Sequence, residues 1–271
     1  MGKILEKLLE EDEWDVLRFG PIDAGEPGLE ALIQAIRSRR ESAIIPRGRT
    51  IVNFLSPSLE DYRASKSFKR IESYERRFLR QPGAEIKFVS NPDPEETNTL
   101  LSELGTIEQA SWLAAAGGDM RFSSDTDRAF WTRAMATGLS AGRHFQAWLA
   151  YIDGKPVAFR VVLSSGTASY MIANQYDQAA ARHRLGWVLY LQNLRDAVES
   201  KVSSIDFAPG DLHYKGRLGG EEAEMRMDLY LCRPSFRGRA LAGAVRGVDF
   251  LKRTLEARPW GRRLASRLPR I

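Results

Sequence analysis

The segment Ser169-Tyr-Met-Ile-Ala-Asn-Gln-Tyr-Asp177 is followed by residues 178–183 and then by Arg184-Leu-Gly-Trp-Val-Leu-Tyr-Leu191. The first segment predicts an apolar strand, the second a short turn, and the third an apolar helix that opens on a glycine. The first N–H groups of a helix have no partners within it and carry a partial positive charge. A phosphate or pyrophosphate can therefore bind at this turn.

Basic residues flank the turn between the strand and the helix. Arg182 and Arg184 would add charge-assisted hydrogen bonds to a bound phosphate, and Gly186 would let the ligand approach the backbone closely. The alternative is an ordinary connection between strand and helix with a solvated basic turn. The pattern alone leaves both interpretations open.

The composition is that of a globular protein, with 271 residues, 43% hydrophobic and 28% charged. No apolar run approaches the ~20 residues that span a bilayer, and the charged N-terminus does not resemble a secretory signal. The single cysteine, Cys232, excludes an internal disulfide framework and fits a reducing compartment. Three histidines lie far apart without paired ligand spacing. We therefore expect a cytoplasmic protein without a metal site.

Charge is distributed unevenly along the chain, whose net charge is +5. Residues 1–30 are acidic, whereas residues 233–271 hold eleven bases and only two acids. Such asymmetry is typical of nucleic-acid or anionic-membrane partners, but also of solvated helix faces. No nucleic-acid-binding motif accompanies the charge, so we expect no specific nucleic-acid partner.

Residues 236–257 predict an amphipathic helix near the C-terminus. The helix could pack on the protein, or it could lie with the tail on an anionic membrane. We expect the helix to pack and residues 259–271 to make peripheral membrane contact. The predicted apolar side comprises Leu241, Ala244, Val245, Val248, Leu251 and Leu255.

The remaining elements follow from apolar periodicity and turn residues. Asp153-Gly154 predicts a hairpin, Pro46-Arg47-Gly48 predicts a turn between two strands, and residues 56–61 predict the start of one long basic helix. Strands, one helix and further strands indicate an α/β (α+β) fold with a mixed sheet flanked by helices. Predicted strands cover residues 14–19, 44–45, 50–55, 85–89, 145–152, 156–164, 167–176, 204–207 and 225–231, and predicted helices cover 29–36, 56–79, 95–104, 126–139 and 185–200.

Four pieces of sequence, in this order, carry a family resemblance: the strand-turn-strand of residues 148–158, the strand ending Tyr176-Asp177, the helix start Leu185-Gly186, and Asp206-Phe-Ala-Pro-Gly-Asp-Leu-His-Tyr-Lys215. Residues 84–232 resemble the acyltransferase domain of the GNAT superfamily. The resemblance is to the CelD-like branch associated with cellulose biosynthesis, which is related to the Fem-type peptidyltransferases. It implies the GNAT fold, with a mixed sheet flanked by helices.

Residues 10–80 resemble the end of a preceding GNAT-like lobe. Relatives usually carry about a hundred residues before this point, so the resemblance leaves two expectations open: a shortened form that lacks most of the first lobe, or a sequence that starts from an internal methionine. The expected organisation is a partial lobe with a linking basic helix over residues 1–80, the GNAT domain over residues 81–235, and a basic helix and tail over residues 236–271.

The resemblance implies that acetyl-CoA or another acyl-CoA is the acyl donor. Its pantetheine would pair with the strand that ends at Asn174, and its pyrophosphate would bind the following turn. The family's pyrophosphate-binding signature has Gln or Arg, then Gly, then Gly or Ala at three spaced positions. This chain has His183, Gly186 and Val188 at those positions, so only the glycine matches. The implied donor-binding residues are Ile172, Ala173, Asn174, Arg182, Arg184, Leu185 and Gly186.

Four side chains near the ends of the two central strands are candidate catalytic groups, which we expect to line one pocket. Asp177 could orient or deprotonate an acceptor amine, or cap a helix. Asp206 ends a strand, where open α/β sheets bind ligands. By resemblance, Tyr214 would protonate the leaving thiolate; otherwise it packs on the sheet. Lys215 could stabilise an oxyanion or bind a phosphate, or remain solvated.

The residues and the resemblance together predict an acyl-CoA-dependent N- or O-acyltransferase. The expected acceptor is a small molecule, a sugar or a polysaccharide precursor of the cell envelope. A Fem-like aminoacyl or peptidyl transferase with a tRNA-sized basic groove is the first alternative. A degenerate GNAT domain that binds a partner or an acyl ligand without catalysis is the second.

Overall fold

The computed structural model describes residues 14–26, 28–37, 42–118, 120–138, 143–209, 212–233 and 235–256. Two compact units divide the chain: residues 51–221 form the larger, and residues 1–50 with 222–271 form the smaller. The predicted boundaries at residues 80 and 235 stay a prediction. Within the described residues, no helix is both long and apolar enough to cross a membrane.

The elements are numbered along the chain. A 3₁₀ helix spans Gln178–His183. The others are β1 Val16–Asp23, α1 Leu29–Arg37, β2 Ser42–Phe54, α2 Leu59–Arg63, α3 Lys66–Leu79, β3 Ala84–Ser90, α4 Pro94–Gln109, α5 Trp112–Ala115, α6 Asp125–Gly138, β4 Arg143–Ile152, β5 Lys155–Ser165, β6 Ala168–Tyr176, α7 Leu185–Glu199, β7 Ser204–Asp206, α8 Leu212–Gly216, β8 Glu221–Cys232 and α9 Phe236–Glu256.

The larger unit contains a mixed sheet. Strands β3, β4, β5 and β6 pair antiparallel in chain order, β6 pairs parallel with β7, and β7 pairs antiparallel with residues 52–54 of β2. The predicted hairpin between β4 and β5 is confirmed, with Asp153 and Gly154 at φ 50° and 73° as a tight two-residue turn requires. The parallel pair needs a crossover connection, which α7 provides.

Helices cover both faces of this sheet, as predicted from the sequence. On one face α4 and α6 pack against apolar residues of β4 and β5, including Phe145, Leu149 and Phe159. On the other face α3 and α7 cover a cluster that includes Trp148 and Leu189. Each of these five side chains is at most 4% exposed, so the central strands are buried on both sides.

The single basic helix predicted for residues 56–79 is wrong, because the chain forms two helices there. The first helix ends at Arg63, and Ser65 caps the second, accepting hydrogen bonds from the N–H groups of Ser67 and Phe68 at 3.2 and 3.3 Å. A serine at this position satisfies two donors that a continuous helix would have bonded within itself. Helix α3 then buries Phe68 and Ile71 against α7.

In the smaller unit β1 and β8 pair antiparallel, and residues 42–50 form one continuous strand instead of two strands around a turn. Arg47 explains this correction. Its guanidinium binds the Asp228 carboxylate and donates to the Tyr230 hydroxyl at 3.0 Å, two groups on β8. These bonds hold the proline-containing segment extended, since Pro46 lacks an N–H group to contribute to a ladder.

Helix α9 forms where the sequence predicts it, but its buried side matches the predicted one only in part. Ala242 and Val245 are 3% and 7% exposed, whereas Leu241 and Leu251 are 39% and 43% exposed. Arg246 donates to the backbone carbonyl of Ser42, which fixes the rotation of the helix. Val245 is therefore buried as predicted, whereas Leu241, Ala244 and Leu251 of the predicted stripe are exposed.

Candidate active site

Strand β6 separates from β7 after a short parallel pairing. Ala168, Ser169 and Tyr170 are level with the three residues of β7, and in the described part of the chain residues 171–176 have no strand partner on that side. A bulge at Ile172 interrupts the opposite ladder, because Val161 and Val162 pair with Ala173 and Met171. Bulges bend a strand and leave backbone groups unpaired. An open edge of backbone donors and acceptors results.

Helix α7 begins directly after this edge. Arg184 precedes it in the left-handed conformation, with φ 57° and ψ 36°, and no side chain caps the first N–H groups. Leu185 is 1% exposed and packs in the core, so only its backbone can face a ligand. The uncapped start and the two exposed arginines, Arg182 and Arg184, lie together at this turn, and phosphate binding there stays a prediction.

Asn174, Gly186 and Tyr214 meet between the open edge and the helix start. The Asn174 amide donates to the Tyr214 hydroxyl at 3.2 Å. A Cβ at Gly186 would lie 3.3 Å from Asn174 Nδ2 and 3.7 Å from the Tyr214 hydroxyl. Asn174 Oδ1 is buried and has no hydrogen-bond partner. Three of the predicted site residues are thus brought together around an unsatisfied acceptor.

The Tyr214 side chain is half-buried beside aromatic and cationic groups. Its ring meets the Trp187 ring edge-on with centroids 5.6 Å apart. Burial raises the pKa of Tyr214 above its ordinary value, while the Arg160 cation and the Asn174 hydrogen bond oppose that rise. The phenol therefore keeps its proton at neutral pH.

Asp177 and Asp206 lie at different levels of the sheet. Asp206 is level with Tyr170, whereas Asp177 follows the last residue of β6, seven residues further along. At about 3.3 Å per residue the separation is roughly 20 Å. The expectation that both acids line one pocket is therefore wrong: parallel pairing matches β7 with the beginning of β6 and not with its end.

Two candidate acids accept local backbone hydrogen bonds. Asp177 caps the 3₁₀ helix by accepting from the N–H of Ala179 at 2.8 Å. Asp206 accepts from the N–H of Ala208 at 2.6 Å. The Asp177 contact corresponds to the capping alternative considered from the sequence, and catalytic roles for the two acids stay predictions.

Lys215 is buried rather than solvated. Its ammonium donates to the carbonyl oxygens of Phe207, Ala208 and Pro209 at 2.6, 2.7 and 2.9 Å. The lysine side chain thereby holds the turn that follows β7 against α8. A role in stabilising an acyl oxyanion stays a prediction.

The sequence predicts a basic helix over residues 56–79, but it does not predict the groove that α3 forms. Ser73, Arg76, Arg77 and Arg80 line a groove on this helix. The helix also contacts the 3₁₀ helix, where Phe78 meets the ring of His183 at 6.0 Å. The signal was present as a run of basic residues before Pro82, but sequence alone does not place α3 beside the turn.

His183 stands where the family signature has glutamine or arginine. Its Nδ1 lies 2.9 Å from the amide of Gln81, and Arg182 Nε lies 3.0 Å from its Nε2. Burial, with the charge of Arg182, lowers the pKa of His183. The ring is therefore neutral at pH 7, and the cationic groups at this turn are Arg182 and Arg184. Among the residues that the structure describes, no cluster of three His, Cys, Asp or Glu side chains could hold a metal ion.

Comparison with known proteins identifies the fold. FemX superimposes with a TM-score of 0.57 and 11% identity, covering 90% of this chain and 77% of FemX. A tandem GNAT protein from the clavulanic acid biosynthesis pathway gives 0.53 and 14%, covering 86% and 67%. L-PGS from Bacillus licheniformis gives 0.51 and 13%, covering 86% and 72%. At such identities these likenesses show the fold alone.

No curated protein matches the sequence significantly. Residues 65–216, more than half of the chain, match the acetyltransferase (GNAT) domain family. This span includes β3 to β7, the start of α7 and Tyr214. The chain therefore belongs to the GNAT acetyltransferase family.

Proposed function

We propose that the protein is an acyl-CoA-dependent acyltransferase that acts on an amine or a hydroxyl group. The observation that carries the proposal is the open edge of β6, which leads to the uncapped start of α7 with Asn174 and Tyr214 beside it. Such an arrangement offers backbone groups to an extended ligand and N–H groups to a phosphate.

The residues present fit an acyl-CoA. Residues 172–174 offer unpaired backbone groups to the pantetheine amides, and Gly186 leaves space that a Cβ would fill. The N–H groups of Leu185 and Gly186, with Arg182 and Arg184, would hold the pyrophosphate. The bound donor supplies a thioester, whose acyl carbon bonds to the acceptor while the sulfur leaves as a thiol.

Tyr214 is the residue that we propose as the proton donor to the leaving sulfur. Its hydroxyl oxygen accepts from Asn174, so its own proton can point elsewhere. Asn174 would then act as a positioning residue that fixes the phenol. Asp177, Asp206 and Lys215 have contacts that support structural roles.

The arginines of α3 extend the proposed donor site. Coenzyme A carries a 3′-phosphate beyond its pyrophosphate, and Arg77 and Arg80 lie on the groove of the helix that contacts the 3₁₀ helix. Arginine is well suited to phosphate because its planar fork can bind two oxygens. We therefore propose that these side chains bind the 3′-phosphate.

Acceptor and location rest on the sequence resemblance. The likeness to the CelD-like branch supports a sugar or polysaccharide precursor as the acceptor. We propose that the protein acts in the cytoplasm. Peripheral membrane contact by residues 259–271 is also a proposal, because the tail lies outside the described residues. Co-sedimentation with anionic vesicles at low salt would show it, and protein that stays in the supernatant would exclude it.

A Fem-like aminoacyl or peptidyl transferase is the second candidate function. The basic groove of α3 favours it, because tRNA binding requires clustered positive charge. The acyltransferase of the first proposal would bind acyl-CoA, whereas the Fem-like enzyme would bind aminoacyl-tRNA. A non-catalytic GNAT domain would bind acyl-CoA or a protein partner without turnover.

Calorimetric titration with acetyl-CoA and longer acyl-CoAs tests the proposal, followed by a thiol-release assay with amine and sugar acceptors. Binding together with acceptor-dependent thiol release would support it. Binding without release from any acceptor would favour the non-catalytic alternative. An absence of binding, with transfer from aminoacyl-tRNA, would favour the Fem-like alternative. Dephospho-CoA, which lacks the 3′-phosphate, is the matched probe for Arg77 and Arg80.

A further inference from the structure

Arg160 is a buried cation in the middle of β5. Its side chain is 0% exposed. Nε donates to Asn193 Oδ1 at 2.9 Å, but Nη1 and Nη2 are buried and have no hydrogen-bond partner. Burial lowers the pKa of Arg160 to about 10, so the guanidinium remains charged at neutral pH. In the part of the chain that the structure describes, no carboxylate pairs with it.

The guanidinium lies under the opening between β6 and β7. Arg160 pairs in register with Asn174 of β6, and its guanidinium carbon lies 5.8 Å from the ring centroid of Phe207, the residue after β7. The Tyr190 ring is 5.2 Å away on another side. Nearby Asn174 Oδ1 and Asn193 Nδ2 are also buried without partners. Unsatisfied polar atoms therefore cluster at this one place.

Stability alone does not account for this residue. Taking an ion out of water is strongly unfavourable unless a counter-charge and hydrogen bonds offset the cost. Asp228, a buried ion of the smaller unit, shows the usual solution, since Arg18 at 2.8 Å and Arg47 both pair with it. Arg160 has two aromatic rings and one amide instead. A cost that the fold leaves uncompensated is a feature of ligand sites.

We propose that Arg160 binds a carboxylate group of the substrate at the opening between β6 and β7. The inference rests on the proposed function and adds the class of substrate. Two unpaired N–H-bearing nitrogens on one planar group match the two oxygens of a carboxylate. The carboxylate can belong to the acyl group, as in succinyl-CoA, or to an amino-acid acceptor. Both sources share the chemistry, and the experiment separates them.

The experiment compares the wild-type chain with Arg160→Met and Arg160→Lys. Arg195→Met is the control, because Arg195 lies on α7 near Asn193 but is partly exposed and paired with Glu75 at 2.5 Å. The probes are succinyl-CoA against acetyl-CoA in calorimetry, and free amino acids against their amides in the transfer assay. Melting temperatures without ligand report on the structural role.

If the acyl group carries the carboxylate, the wild type binds succinyl-CoA at least tenfold more tightly than acetyl-CoA. Arg160→Met loses that preference and binds acetyl-CoA as the wild type does. If the acceptor carries it, the KM for the amino acid rises at least tenfold in Arg160→Met, while the KM for the amide is unchanged. Arg160→Lys retains part of the preference for the carboxylate-bearing ligand, whichever ligand that is. Arg195→Met retains the full wild-type preference.

Without ligand, Arg160→Met melts at the same temperature as the wild type or higher, because an apolar side chain of similar size replaces an unpaired ion. A lower melting temperature with no loss of carboxylate preference would overturn the inference and give Arg160 a structural role. If no CoA ester binds, the proposed function fails by itself. Sodium succinate and glycine at matched ionic strength then test Arg160: they must raise the melting temperature of the wild type and not of Arg160→Met.

Discussion

The side-chain amide of Asn174 donates to the hydroxyl oxygen of Tyr214 across 3.2 Å, and Gly186 leaves the space beside both groups. Three separate segments supply these residues: β6, α8 and the first turn of α7. The hydrogen bond uses the oxygen of the phenol and not its proton. The phenol proton of Tyr214 is therefore left available for donation to another group, which the proposed chemistry requires.

Replacing Tyr214 with phenylalanine should lower kcat about 100-fold, the usual contribution of a general acid. Since burial raises the pKa of Tyr214, the wild type should keep its acid up to pH 10 and lose activity only above it. The phenylalanine variant should lack that alkaline decline. Rates of thiol release between pH 6 and 11 measure both effects, and a variant with the full wild-type rate would rule out Tyr214 as the acid.

The sequence predicts the parts of this site that depend on local pattern. The hairpin at Asp153-Gly154 and the start of α7 at Leu185 are found where predicted. Turn residues and apolar periodicity act over a few positions, so they can be read directly.

Features that depend on tertiary contacts could not be predicted in the same way. The bulge at Ile172 leaves no mark in an apolar run, and the short pairing of β7 with the beginning of β6 separates Asp206 from Asp177. Arg160 was overlooked although it is the one charge within the apolar run 157–163. A charge in a strand that is buried on both faces was the available signal.

Gly186→Ala should separate ligand binding from stability. Alanine is favoured over glycine in a helix by up to about 1 kcal/mol, so the melting temperature should hold or rise. The new Cβ would lie 3.3 Å from Asn174 Nδ2, which must shift, so affinity for acetyl-CoA should fall about tenfold. Gly243→Ala in α9 is the matched control, because open space surrounds that position. Unchanged affinity in Gly186→Ala would remove this glycine from the donor site.

Replacing Arg182 and Arg184 together with alanine should weaken acetyl-CoA binding about tenfold or more. Both side chains are exposed, so the melting temperature should stay nearly the same. Affinity measured at rising salt should also fall less steeply in the double variant, since fewer charges contact the phosphates. The control is Arg128→Ala, whose partner is the exposed Asp125. Wild-type affinity in the double variant would make the turn an ordinary basic connection.

Lys215→Met should lower the free energy of unfolding by about 3 kcal/mol, because the carbonyls of Phe207, Ala208 and Pro209 lose a charged donor. Ala208→Gly in the same turn should raise the free energy of unfolding by about 1 kcal/mol. Ala208 has a φ of 59°, in the left-handed region that glycine adopts without strain. Urea unfolding measures both changes. A Lys215→Met variant with wild-type stability but no turnover would instead support the catalytic role.

The final prediction concerns the buried side of α9. Two alanines that lie two residues apart on this helix provide the test variant and its control. Ala242 is 3% exposed, whereas Ala244, two residues along the same helix, is exposed. Ala242→Asp places a carboxylate among apolar groups and should lower the free energy of unfolding by more than about 2 kcal/mol. Ala244→Asp leaves its charge in water and should change it by less than about 0.5 kcal/mol. Both substitutions alter net charge and helix propensity equally, so their difference isolates burial. Equal losses would mean that α9 is turned differently, with the predicted stripe of Leu241, Ala244 and Leu251 facing inward.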